Sequence, residues 1–244
     1  MIKRDYILIS ILLIVFLAIS MAIISVSTPE NQTTVNNTLK DHEILANEST
    51  GSVEVIRNIG NPNGQKIAYV IGVHPLENDT HKTLLKILPN LTDLNCCYDI
   101  YMINVTKDVG YYGDGSSDDS PGRQNGQNLA LKYVYPQIAN GSYKFTVDVH
   151  SNIGAYPYKT FVFSPVKESL AGQYGHVIAN ASQNISYYSP DSTTSGPYLT
   201  IPLNEKGIPA IYFEEYSFAP QSEKDMHMLE LIHAIDNLDF SQSL

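Results

Sequence analysis

Six short segments rich in β-branched and aromatic residues limit what this chain can fold into. They lie at 53–59, 66–73, 98–105, 143–150, 160–163 and 210–215, each with the length and composition of a strand. Helical patterns fill the intervals. Leu84, Leu85 and Leu88 recur at helical spacing within 80–88. Residues 128–139 follow a polar loop and contain Pro136, a point for a kink. Residues 166–182 form a third pattern. The strongest is 222–238, with Met226, Leu229, Ile232, His233 and Asp236 spread over four turns and Ser222 placed as a cap. Strands alternating with helices predict an α/β domain whose central sheet is mixed and mostly parallel, flanked by helices. In such sheets, sites form beyond the carboxyl ends of the strands.

Ahead of this domain, residues 6–26 are 21 uncharged, mostly apolar residues that follow Lys3 and Arg4. A helix of that length rises about 30 Å, enough to span a bilayer. Residues 1–27 are therefore expected to be an N-terminal transmembrane helix, with the basic pair holding the N-terminus inside and the rest of the chain outside the cell membrane. Cleavage near Ser25-Val26-Ser27 is the alternative and would give a secreted protein. Residues 28–52 are polar and without periodicity and read as a linker, so the domain is expected over 53–244. Nine Asn-x-Ser/Thr sequons, at Asn31, Asn36, Asn47, Asn78, Asn90, Asn104, Asn140, Asn180 and Asn184, fit an exported and glycosylated chain. Net charge of −10 argues against nucleic acid as a partner. The two cysteines, Cys96 and Cys97, offer no disulfide framework and read as buried thiols or a redox pair. The Gly-, Ser- and Asp-rich stretch 110–126 is a long loop; its acids invite calcium but lack EF-hand spacing.

Three predicted strands end in ionisable residues: His74-Pro75-Leu76-Glu77, Asp148-Val149-His150 and Glu214-Glu215. A hydrolytic zinc needs three protein ligands of N and O type, an open position, and a carboxylate outside the ligand set that moves a proton. His74, Glu77 and His150 supply the ligands, and a distant glutamate supplies the base. Asp148, two residues before His150 on the same strand face, is placed to orient the imidazole. The plain alternative makes Asp148 a surface acid and His74 and Glu77 the cap of a helix.

Taken in order, Gly72-x-His74-x-x-Glu77, Asp148-x-His150 and Gly207-Ile208-Pro209-Ala210 followed by Glu214 resemble the zinc carboxypeptidase superfamily, most closely its succinylglutamate desuccinylase/aspartoacylase branch. The similarity runs over about 60–235 as separate short motifs. It implies one zinc per chain on His74, Glu77 and His150, and Glu214 as general base and then acid for the leaving amine. Glu215 competes for that role, and strand alternation lets only one of the two face the metal. Arg123 is the candidate to polarise the scissile carbonyl or bind a carboxylate, and Asn128 to match the family's asparagine. Leu129 stands where the family has a second arginine, and Pro75 where it has glycine. Tyr156 and Tyr198 are candidate donors to an oxyanion. The resemblance implies an outward-facing, membrane-anchored zinc hydrolase of amide bonds acting on a peptide, a cell-wall peptide or an N-acyl amino acid. The competing expectations are a glycosylated surface binding or structural protein that keeps the fold, and a surface domain without metal.

Overall fold

A computed structural model describes residues 41–109 and 121–241. Eight strands form one sheet: β1 His42–Glu48, β2 Gly51–Gly60, β3 Lys66–Ile71, β4 Cys97–Val105, β5 Tyr143–Asn152, β6 Phe161–Phe163, β7 Ser186–Tyr187 and β8 Ala210–Tyr216. Their spatial order is β1-β2-β4-β3-β5-β8-β6-β7. The centre, β4-β3-β5-β8, is parallel. β1, β2 and β4 pair antiparallel at one edge; at the other, β6 runs antiparallel to β8 and parallel to β7. This is the mixed, mostly parallel sheet expected.

The helices are α1 Asn78–Ile87, α2 Pro121–Leu129, α3 Tyr135–Ala139, α4 Leu170–Ala181, α5 Thr200–Glu205 and α6 Gln221–Asp236. Alternation along the strands divides the core between the two sheet faces. On one face Tyr69, Ile71, Val147, Val149, Ile211 and Phe213 pack with Leu84 of α1, Tyr174 of α4, and Met228 and Leu231 of α6. On the other, Ala68, Val70, Tyr101 and Ala210 pack with Leu129, Val134, Ile138 and Leu203 from the α2–α3 segment and α5. The chain leaves β3 through α1 to reach β4 on one side, then returns through α2 and α3 to β5 on the other. The crevice between the carboxyl ends of β3 and β5 is thus the sheet's topological switch point, where α/β proteins place their ligands.

Two boundaries differ from those expected. The stretch read as linker contributes β1 and the start of β2, so the sheet begins at His42 rather than Val53. Its HEILANE sequence hides a strand because an edge strand is exposed on much of both faces; Ile44 is 65% exposed. Cross-strand pairs hold it, Arg57 to Glu43 at 3.0 Å and His42 to Glu54 at 2.8 Å. The helix expected at 128–139 starts at Pro121 and widens to a π turn over Ala130–Val134, where the Tyr135 N–H reaches the carbonyl of Ala130. The widening falls just ahead of Pro136, which has no N–H for the carbonyl of Lys132. Cys96 and Cys97 are free and buried, and Cys97 opens β4. Among the described residues no helix is long and apolar enough to cross a membrane. The apolar run 6–26, two of the nine sequons and residues 110–120 lie outside the described residues.

Candidate metal centre

β3 ends at Ile71, and Gly72 follows at φ +86° with the Ile103 carbonyl so near that a Cβ would lie 1.9 Å from it. Only glycine suits both demands. The chain then turns over His74-Pro75-Leu76-Glu77, closed by the Glu77 N–H donating to the His74 carbonyl at 3.2 Å. Pro75 takes the second position of this turn, where its fixed φ is favoured. The departure from glycine therefore suits the turn that brings His74 and Glu77 face to face. Glu77 is the residue before the first turn of α1, and His81, one turn further on, reaches the Val149 carbonyl of β5 at 3.0 Å. Burial pushes the His81 pKa down to about 4, so it is a neutral tie between α1 and the strand that carries His150. A second tie joins Thr80 Oγ1 to Ser151 Oγ at 2.6 Å.

These constraints gather three buried side chains. His74 Nδ1 lies 2.9 Å from Glu77 Oε1, and His150 Nδ1 lies 2.9 Å from Glu77 Oε2. Glu77 also accepts from the Ser151 N–H at 2.9 Å and from Arg123 Nη1 at 3.3 Å. One ligand-type atom from each of His74, Glu77 and His150 falls within 4.8 Å of the other two. The far side of each ring is also supported. Gln127 Nε2 stands 3.4 Å from His74 Nε2, and Asp148, with no exposed surface, stands 3.0 Å from His150 Nε2. A carboxylate beside Nε2 favours the tautomer that leaves His150 Nδ1 free for a metal, although the Asp148 approach is a close ion pair outside hydrogen-bond geometry. The Gln127 amide N–H beside His74 Nε2 does not favour that tautomer.

Charge is distributed unevenly over the cluster. Burial opposes ionisation of Glu77, yet His74 and His150 outweigh it and hold the carboxyl well below its ordinary range. Burial likewise opposes a charged His150, and Asp148 and Glu77 overcome it, so its pKa is raised well above that of a free imidazole. For His74 burial prevails and the pKa is lowered. Glu214 sits in register with His150 on the neighbouring strand and shares its sheet face. Burial, with Glu77 and Asp148 adding to it and His150 opposing, raises its pKa to about 8. Its Oε2 is buried without a hydrogen-bond partner.

The other candidates fall in different places. Glu215 points to the opposite face, where its carboxylate is bonded to Thr160 and His227. Arg123 joins the cluster through Glu77 and also donates to Thr194 at 3.1 Å. Asn128 is exposed and accepts from Gln124. Tyr198 donates to Gln124, on the same helix as Arg123. Tyr156 packs its ring against Phe161 and Tyr188. Gln127, Thr194 and the Ser151 N–H were not anticipated from sequence. Gln127 lies one helical turn after Arg123, a spacing that a helix starting at Pro121 makes visible and one starting at Asn128 does not. Gly126 lets that helix approach: a Cβ there would lie 2.1 Å from the Val73 carbonyl.

The fold thus defined is that of metallo-carboxypeptidases. The tripeptide-bound cell shape determinant Csd4 from Helicobacter pylori aligns with a TM-score of 0.55 and 12% identity over 75% of this chain. A metallo-carboxypeptidase from Pseudomonas aeruginosa, in complex with (2-guanidinoethylmercapto)succinic acid, aligns with a TM-score of 0.50 and 13% identity over 80% of this chain. The chain spans 54% of the Csd4 protein and 64% of the Pseudomonas one. No protein-family model matches the chain, and no curated protein matches its sequence.

Proposed function

We propose that this protein is a zinc-dependent hydrolase of amide bonds in peptides or N-acylated amines. The observation that carries the reading is the convergence of His74, Glu77 and His150 at the sheet's switch point, with the Glu214 carboxyl beside His150. The residues fit the metal. Two imidazole nitrogens and a carboxylate oxygen are a hydrolytic zinc donor set, both Nδ1 atoms turn toward the shared carboxylate, and the Asp148 carboxylate stands behind His150 Nε2. Zinc held there would supply a Lewis acid for the scissile carbonyl and lower the pKa of water.

The chain's own groups supply the rest. Glu214, opposite His150 on the neighbouring strand, takes a proton from the attacking water and returns it to the leaving nitrogen. Arg123, joined to Glu77 and Thr194, brings a guanidinium to the cluster and steadies developing negative charge. The tripeptide bound by Csd4 supports a peptide substrate. The expected result is one zinc per chain by elemental analysis, and release of amines from a mixed peptide and N-acyl amino acid panel that a chelator abolishes and zinc restores. Purified protein without stoichiometric metal, or zinc-loaded protein inert on the whole panel, would sink the reading. The second outcome would favour a binding or structural role.

We place the domain outside the cell on its N-terminal anchor. The apolar run after Lys3-Arg4 supports this, as does the exposure of all seven sequon asparagines among the described residues. Protease added to intact cells should digest the domain, and membrane washes at high salt or high pH should leave it in the pellet. Protection from protease in intact cells, with digestion after lysis, contradicts the orientation.

A further inference from the structure

Glu215 is buried on the sheet face that the metal cluster does not use, at 1% exposure. Three groups hold its carboxylate. Thr160 Oγ1 donates to Oε1 at 3.0 Å, the Tyr216 N–H donates to Oε1 at 2.9 Å, and His227 Nδ1 lies 2.9 Å from Oε2. Thr160 Oγ1 also approaches His227 Nδ1 at 3.3 Å. The clasp joins β8 to the residue before β6 and to the second turn of α6. Its place in the ladder is telling. Phe161 opposite Glu214 is the last residue pair between β6 and β8; one step further, side chains take over the joining of Thr160 to Glu215. On the other side, β5 still pairs through His150–Glu214 and Ser151–Glu215.

A buried Glu–His pair is poor material for stability alone. Desolvating both groups costs about as much as their attraction returns, and apolar residues of similar size often do as well. What the pair supplies is direction: three bonds admit one placement of the strand end, whereas apolar packing admits several. Successive residues on a strand point to opposite faces, so whatever holds Glu215 also fixes where the Glu214 side chain leaves the backbone. Glu214 Oε2 is buried with no hydrogen-bond partner, so no bond at that oxygen fixes where the carboxyl points.

We infer that Glu215, Thr160 and His227 are positioning residues, a clasp beneath the sheet that aims the Glu214 carboxyl at the metal cluster. The inference rests on the proposed function, because it assigns Glu214 a reaction to be aimed at. Misplacing a reacting group by an ångström can cost about 100-fold in rate. In the zinc-loaded full-length protein, Glu215→Leu should lower kcat by roughly 10- to 100-fold. Zinc content and the far-UV spectrum should be unchanged, and KM should move by less than about twofold, because ground-state binding is untouched. Glu215→Gln keeps a carbonyl to accept from Thr160 and Tyr216 and should restore kcat to within about fivefold of wild type. If Glu215→Leu does not fold, Thr160→Val, which removes one bond of the three, carries the test with the same split between kcat and KM.

A folded variant with unchanged kcat overturns the inference. So does a loss that appears in KM or zinc content instead, or a glutamine variant no better than the leucine one. Those outcomes leave the proposed function standing. A wild-type protein without hydrolytic activity overturns both.

Discussion

Glu214→Gln should abolish turnover, by about 100- to 10,000-fold in kcat, the range removed with a general acid–base group, while zinc stays bound at one per chain. The reason lies in what the substitution spares. Glu214 is not among the three side chains whose ligand-type atoms converge. Glutamine keeps the volume and one hydrogen-bonding oxygen, so the register with His150 survives. What is lost is a carboxyl able to take and return a proton. Steady-state kinetics on the best substrate of the panel, with elemental analysis of the same preparation, checks both halves. Undiminished kcat would remove Glu214 from the chemistry. Lost zinc would mean that its carboxylate helps hold the metal. Glu215→Gln measured alongside separates the neighbours, since that change should keep kcat within about fivefold of wild type.

The largest effect on the folded state is expected from His150→Ala. His150 stands between two carboxylates, 2.9 Å from Glu77 Oε2 and 3.0 Å from Asp148 Oδ1. Its pKa is raised well above the ordinary value, against the pull of burial, by those same carboxylates. Removing it leaves Asp148 and Glu77 facing each other across a buried space. Breaking a buried pair from one side typically costs about 3–5 kcal/mol. Urea denaturation of metal-free wild type and variant should show a loss of that size, and the variant should no longer bind zinc stoichiometrically. A variant as stable as wild type would mean that Asp148 is neutral in the metal-free protein. Retained zinc would remove His150 from the ligand set.

Much of this site was legible in the chain because three strand ends break a strong pattern. An apolar strand that spills into His74 and Glu77, a second ending in Asp148-Val149-His150 and a third ending in Glu214-Glu215 mark polar groups at a depth where only a site needs them. Periodicity also placed the central strands and α6 close to where they lie. It failed where burial is one-sided or absent. β1 carries no alternation because it is an exposed edge. The start of α2 is masked by Gly122, Asn125 and Gly126, poor helix formers that the segment tolerates because Gly126 packs against the Val73 carbonyl. With that helix begun seven residues late, Arg123 was read as a loop residue and Gln127 was not seen.

The choice between Glu214 and Glu215 shows where local pattern stops: the family resemblance favours Glu214 by its spacing from Gly207-Ile208-Pro209-Ala210, and periodicity does not. Alternation says that the two point to opposite faces, and it is silent on which face holds the cluster. Only the pairing of β8 between β5 and β6 decides, by setting Glu214 opposite His150 on one side and Phe161 on the other. Sequence by itself determined the residue types, the strand ends and the helical faces, since those follow from local polarity and period. The tertiary structure alone decided which distant ends meet. The three potential ligands are separated by as many as 76 positions along the chain, from His74 to His150. They come within 4.8 Å because the switch in strand order brings β3 and β5 side by side, and no local signal records which strands will be neighbours.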